Sequence, residues 1–229
     1  MFIFFTTWVR KQKYKLRRPP RTRRMEVLVD RMGIAGGEHV IDLGGAPGFW
    51  STCPHPLKIT IVNNYSTTKK PENQDFGSIH EITLVEADAC DLHAFPDMSF
   101  DIAVSNSVIE HVGDRSKQAA LAAEARRLAP AYWVQTPSIW FPIEAHTYMP
   151  FWWFWPQWMR DRAMRDWRRK VPGWAQMIDE VTVIALKDLR DMFPDGEVYV
   201  ERKAGFPKSY TIYRRGQRQD REARAPATA

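Results

Sequence analysis

The sequence predicts an α/β fold: a doubly wound, seven-stranded, mostly parallel sheet with a C-terminal antiparallel hairpin and a helical, aromatic insertion after the fifth strand. Three observations predict it. Short apolar, β-branched runs recur at 39–43, 59–62, 82–86, 100–105 and 132–136, as strands buried on both faces do. Segments of helical period alternate with them, which is the pattern of parallel strands joined by crossover helices. Two further runs, 198–201 and 209–213, are separated by little more than a Gly-Phe-Pro-Lys turn and so pair as a hairpin.

The elements follow in order. Met25, Leu28, Val29 and Met32 recur at helical spacing over 22–32, and Gly33 with Gly36-Gly37 ends that helix. Strand 39–43 runs straight into Gly44-Gly-Ala-Pro-Gly48. After the fourth strand, Asp114 is placed to cap a helix whose apolar face is Leu121, Ala125 and Leu128 and whose end precedes Pro130. The segment 137–185 breaks the rhythm. Eight of the ten tryptophans lie between 133 and 174, and a basic helix over 157–170 carries six Arg or Lys against two Asp. Such an insertion sits above the carboxyl ends of the strands, where ligands bind in this class of sheet.

Composition narrows the class further. A chain of 229 residues, 44% hydrophobic and 26% charged, is neither disordered throughout nor disulfide-built, and it has room for one catalytic-sized domain. Two cysteines, Cys53 and Cys90, fit a reducing compartment. No apolar run approaches the roughly 20 residues that span a bilayer. The net charge of +6 is uneven: residues 1–25 hold nine basic residues and no acid, leaving −3 for the rest. The expected organisation is a basic arm (1–24), a catalytic domain (25–213, with the cap at 137–185) and a polar, disordered tail (214–229). The arm is read either as an interfacial anchor on an anionic membrane or as an extension ahead of a start at Met25.

The glycine turn is the first chemical signal. In Asp42-Leu-Gly-Gly-Ala-Pro-Gly48, Gly44 and Gly48 let a ligand approach the backbone. A dinucleotide fingerprint would need glycines at Ala46 and Phe49, and a phosphate loop would need a Lys-Ser/Thr that is missing. With Glu86-Ala-Asp-Ala-Cys-Asp-Leu92 and Phe95-Pro-Asp-Met-Ser-Phe-Asp-Ile-Ala-Val-Ser-Asn-Ser-Val-Ile-Glu-His-Val112, the string resembles the Rossmann-like class I S-adenosylmethionine-dependent methyltransferases, most of all the type 11 group. The resemblance covers about 25–136. It implies S-adenosyl-L-methionine as cofactor. Asp42 would orient the loop and the methionine ammonium; Gly44, Gly45, Ala46 and Gly48 would pack against the cofactor. Asp88 and Ala89 would meet the adenine, and Asn106 and Ser107 would flank the methionyl part. The acid usual at the end of the second strand is replaced by Asn63-Asn64, an amide that can still bond a ribose hydroxyl but without charge assistance.

Methyl transfer needs an in-line acceptor and, for O–H or N–H acceptors, a base. His111, just past the fourth strand, and His146 with Glu144 in the insertion are the candidates. His39, His55, His80 and His93 lack metal-site spacing, and no metal is expected. The aromatic cap reads as its own core, as a pocket for an aromatic or isoprenoid acceptor, or as a membrane edge. The expectation is a cytoplasmic methyltransferase, peripheral to the inner face of the membrane, acting on an O or N atom of a small or lipid-linked acceptor. The oligomeric state is left open. RNA methylation is the rival: the loop also resembles that of the heat-shock ribosomal RNA 2′-O-methyltransferases, but the fourth strand ends Ser105-Asn106 where their Lys-Asp-Lys-Glu set has an Asp. A catalytically inactive interaction module is the reading from outside enzymes.

Overall fold

The computed structural model describes residues 18–64 and 79–216, with 18–21 as backbone only. Helix α1 (Arg18–Met32) leads into β1 (His39–Leu43), a single-turn α2 (Pro47–Trp50), β2 (Lys58–Asn63), β3 (Glu81–Glu86), β4 (Ile102–Asn106), α3 (Arg115–Leu128) and β5 (Ala131–Pro137). The insertion holds a short 3-10 turn (Trp152–Phe154), α4 (Gln157–Lys170) and α5 (Pro172–Asp179). Helix α6 (Leu186–Met192) then precedes β6 (Glu197–Lys203) and β7 (Phe206–Arg214).

The strands form one sheet in the order β3-β2-β1-β4-β5-β7-β6, with β7 antiparallel to both its neighbours and all other pairings parallel. The expected seven-stranded, doubly wound sheet is therefore present. The reversal of direction from β1 falls between β2 and β4, so the carboxyl ends of β1, β2 and β4 border the crevice in which such sheets bind ligands.

Strand alternation divides the core. Ile41, Ala103 and Tyr132 pack on one face with Leu121 and Ala125 of α3 and Phe193 after α6. Their neighbours Val40, Ile102 and Trp133 turn to the other, onto Met25 and Leu28 of α1 and Trp50 of α2. Asp114 caps α3 as expected, accepting from the amides of Ser116 (2.9 Å) and Lys117 (3.1 Å). Both cysteines are free thiols.

Three boundaries differ from the sequence expectation. The first helix starts at Arg18, with Pro19 and Pro20 in its first turn where their missing amide protons cost nothing. Residues 18–24 of the expected arm thus lie on α1, while 1–17 are outside the described residues. The hairpin turns at Ala204-Gly205, both at positive φ, so Phe206, Pro207 and Lys208 belong to β7. The expected tail begins inside β7, and 217–229 are outside the described residues.

The tryptophan-rich insertion builds a core of its own. Trp152 stacks on Trp167 with ring centroids 5.3 Å apart, Trp167 meets Trp174 at 5.0 Å, and Met149, Met164 and Ile178 fill around them. Most of its aromatic mass is spent on holding the cap together. Trp140, Phe151, Phe154 and Trp158 are the exceptions, each more than half exposed.

Candidate active site

The glycine loop is shaped by what lies beneath it. Asp42 at the end of β1 is fully buried, and its Oδ2 accepts a 2.8 Å hydrogen bond from Trp50 Nε1 on α2. A Cβ on Gly45 would stand 1.8 Å from Asp42 Oδ2, so that position admits only glycine. Gly44 has φ +75° and a Cβ there would meet Val108 Cγ1 at 2.3 Å. No protein atom makes the same demand of Gly48, whose absent Cβ would touch nothing within 4 Å. Ala46 is the extended residue that opens α2.

Burial without a counter-charge pushes the Asp42 carboxyl up to about 7, the Trp50 hydrogen bond only partly opposing it. Its second oxygen, Oδ1, is buried with no hydrogen-bond partner. A protein rarely leaves such an atom unmet, and a cation drawn close would satisfy it.

Asn63, at the end of β2, donates from Nδ2 to the carbonyls of Gly45 (3.0 Å) and Gly44 (3.4 Å). The amide in place of the usual acid thus fastens the glycine loop, work a carboxylate could not do at two carbonyl acceptors. Asp88, past β3, accepts from the Cys90 amide (2.8 Å) and from Lys117 Nζ (3.2 Å), and these bonds hold its carboxyl below the usual range. Ala89 beside it is buried.

Asn106 and Ser107 sit at the end of β4 in a network the sequence did not announce. Ser107, at φ +59°, donates from Oγ to Gln135 Oε1 at 2.8 Å. Arg24 of α1 reaches the same Gln135 Oε1 (3.1 Å), Asn106 Oδ1 (3.2 Å) and Glu201 Oε2 (2.8 Å). Burial raises the Glu201 carboxyl, but Arg24 and Lys208 outweigh it and bring it down to about 2. A basic residue expected in the arm therefore braces the carboxyl edge of the sheet.

Four residues on, Glu110 and His111 meet Glu144 and His146 from the cap. His146 Nδ1 bonds Glu144 Oε1 at 2.9 Å, and Glu144 Oε2 also accepts the amides of His146 (2.8 Å) and Thr147 (2.5 Å). Burial raises the Glu144 carboxyl, yet His146 and these amides hold it below its ordinary value. His146 and His111 touch at 3.1 Å between their Nε2 atoms, and burial with the neighbouring imidazole lowers His111 to about 4. Glu110, fully buried, accepts from Thr136 Oγ1 at 3.1 Å and is pushed up to about 7 by burial. Trp174 donates to the His146 carbonyl at 3.2 Å, tying this loop to the cap's core.

A shallow cleft adjoins the cluster, lined among others by Glu110, Thr136, Glu144, His146 and Trp153. The structure thus brings His111, His146 and Glu144 together and adds Glu110, which the sequence offered only as the neighbour of His111 in Val-Ile-Glu-His. Trp50, Arg24 and Gln135 were likewise unforeseen. Trp50 had a local signal, a bulky residue two positions past Gly48, whereas Arg24 and Gln135 become partners only through the sheet.

A family model described as "Methyltransferase domain" matches residues 50–131. Several solved structures share the fold. A candidate S-adenosyl-L-methionine-dependent methyltransferase of Methanococcus maripaludis matches with a TM-score of 0.51 at 15% identity, over 93% of this chain and 92% of its own. Phosphoethanolamine N-methyltransferase 2 of Haemonchus contortus, in complex with S-adenosyl-L-methionine, matches at 0.52 and 12% identity, over 85% of this chain and 53% of that one. An O-methyltransferase family protein from Burkholderia thailandensis gives 0.50 and 15%, over 86% and 57%. The chain spans about half the length of the latter two. No curated protein sequence matches it. Fold and loop define a nucleotide-type crevice of the doubly wound class. Within that class, residues 50–131 match the methyltransferase-domain model, and the solved structures share the fold around them.

Proposed function

We propose that this protein transfers the methyl group of S-adenosyl-L-methionine to an oxygen or nitrogen of a small or lipid-linked acceptor held in the cleft beside His146. The observation that carries the reading is the Glu144–His146 pair at that cleft. Two features fit the cofactor to the neighbouring loop: the unmet Oδ1 of Asp42, suited to an ammonium, and Gly48, a glycine no protein atom requires. Val108 packs against Gly44 and belongs to the same turn as Glu110 and His111, so one segment joins the two halves of the site.

The residues divide the work. Asp42 and the glycine loop hold the methionine end, with Asn106 and Ser107 flanking it, and Asp88 and Ala89 hold the adenine. Asn63 keeps the loop in place. The cofactor supplies an already activated methyl group, so the chain has only to align the acceptor and remove its proton. Glu144 keeps the His146 proton on Nδ1, so Nε2 accepts from His111 Nε2 at 3.1 Å and is the atom that takes the acceptor's proton when the acceptor displaces that contact. His111 packs against that imidazole and fixes its plane.

The exposed Trp140, Phe151, Phe154 and Trp158 support a membrane-surface setting in which a lipid-linked acceptor enters from the side. Among the described residues no helix is long and apolar enough to cross a membrane. RNA methylation has less support: Arg24 is committed inside the fold, and Arg168, Arg169 and Lys170 of α4 pair with Asp179 or Asp166. The test is transfer of labelled methyl from S-adenosyl-L-methionine into lipid extracts and into soluble metabolite pools. His146→Ala is expected to cut transfer about 100-fold or more while cofactor binding persists. A folded protein that does not bind the cofactor overturns the reading.

A further inference from the structure

We propose that Glu110, His111 and His146 form a binding site for one divalent transition-metal ion of the Zn²⁺ class, with Glu144 as the outer carboxylate that orients His146. The ligand atoms of the three residues all lie within 4.8 Å of one another. The two Nε2 atoms are 3.1 Å apart. A cation about 2.1 Å from each would see them at roughly 95°, an angle that four- and five-coordinate sites accept. Ligands around one tetrahedral ion of this kind stand about 3.4 Å apart, so the carboxylate has to approach by up to about 1.4 Å, within reach of a side-chain rotation.

A hydrogen bond between the two histidines explains the 3.1 Å contact but not Glu110. That carboxylate is buried, and its Oε1 has no hydrogen-bond partner. Thr136 meets Oε2 alone, whereas a cation between the carboxylate and the imidazoles would also meet Oε1. Two imidazoles and one carboxylate are a borderline donor set, which selects Zn²⁺, Mn²⁺ or Fe²⁺ over Ca²⁺ or Mg²⁺. The outer arrangement matches what metal-bound histidines need. Glu144 Oε1 takes the Nδ1 proton of His146 at 2.9 Å and is itself held by two backbone amides, so Nε2 presents its lone pair inward. The open position faces the cleft, since Glu110 and His146 both line it.

Metal binding deepens the methyl-transfer reading, and only its catalytic consequence rests on that reading. An acceptor hydroxyl that ligates the cation would be favoured in its deprotonated form, its proton passing to water, and the task given above to the His146 imidazole would pass to the metal.

The test uses the full, tag-free chain stripped with a chelator and titrated with Co²⁺ alone, read by its visible absorption, with Zn²⁺ competition for affinity. One equivalent of Co²⁺ is expected per chain, with the intensity of four- or five-coordinate geometry. Glu110→Gln should weaken binding about 10-fold or more, and His111→Gln and His146→Gln about 100-fold or more. Binding of S-adenosylhomocysteine, which the proposed function assigns to other residues, and an unchanged far-ultraviolet dichroism report that each variant is folded. Absence of a saturable single site, or a site that survives all three substitutions, overturns the metal proposal. Cofactor binding without metal binding leaves methyl transfer standing; metal binding without cofactor binding does the reverse.

Discussion

Cofactor binding should expel a proton from beneath the glycine loop. Asp42 sits at about 7 without ligand because it is buried and uncompensated. If the methionine ammonium arrives at about 5 Å, an effective dielectric of about 20 gives roughly 3 kcal/mol of attraction, or about 2.4 pH units. The carboxyl then falls to about 5 in the complex. Its ionised form binds and its protonated form does not gain the attraction, so affinity weakens as pH drops through the unliganded value. Between pH 7.5 and 5.5 the dissociation constant should rise about 20-fold. Titration calorimetry with S-adenosyl-L-methionine across that range, in buffers of different ionisation enthalpy, measures both the slope and the proton released. Asp42→Asn keeps an acceptor for Trp50 Nε1 and should flatten the slope while weakening binding at pH 7.5. An affinity constant within twofold over the range, or a slope that persists in Asp42→Asn, refutes the reasoning.

Three further outcomes are expected. Gly45→Ala drives a Cβ to 1.8 Å from Asp42 Oδ2 in a fully packed place, and denaturant melts should show a loss of at least about 2 kcal/mol. Glu201, held at about 2, contributes stability that is complete above its unfolded value near pH 4.5 and is lost as pH falls toward 2; the swing is about 3 kcal/mol, and Arg24→Met should shrink it in pH-resolved melts. Trp167→Ala removes the centre of the cap's stack and should cost about 3–5 kcal/mol of cap stability, seen as lost near-ultraviolet dichroism with the parallel sheet's far-ultraviolet signal retained.

The inner strands β1, β2, β4 and β5 were legible because they are buried on both faces and so apolar over nearly their whole length; β3, expected to be buried likewise, is an edge strand with no fully buried residue and was found by its β-branched run alone. Strand 39–43 and helix 157–170 match residue for residue. The hairpin turn was misplaced because Gly-Phe-Pro-Lys has more turn-forming character than Ala204-Gly205, yet Phe206 and Pro207 pair with Lys203 and Arg202 of β6, which outweighs local preference. In the site, Asp42 and the glycines could be read because their roles are local, fixed by one turn of backbone. Glu110, Arg24 and Gln135 could not, because each acquires its meaning from a residue at least 26 positions away. No spacing rule reaches that far.

The cap illustrates how composition misleads when it is read without packing. Ten tryptophans suggest a binding surface, but Trp50, Trp133, Trp152 and Trp167 are buried, and the last two hold the cap together by stacking. What the cap brings to the crevice is polar: the Ile143–Pro150 bridge closes a short loop that carries Glu144 and His146, and Trp174 pins that loop through the His146 carbonyl. The aromatic core is thus the rigid mount, and two polar residues are what it delivers against Glu110 and His111 of the sheet. Specificity for an acceptor follows from that division. Changes in the buried tryptophans should move stability and both halves of the reaction together, whereas changes at Ser138, Ile139 or Val183 along the cleft should redirect acceptor choice without touching cofactor affinity.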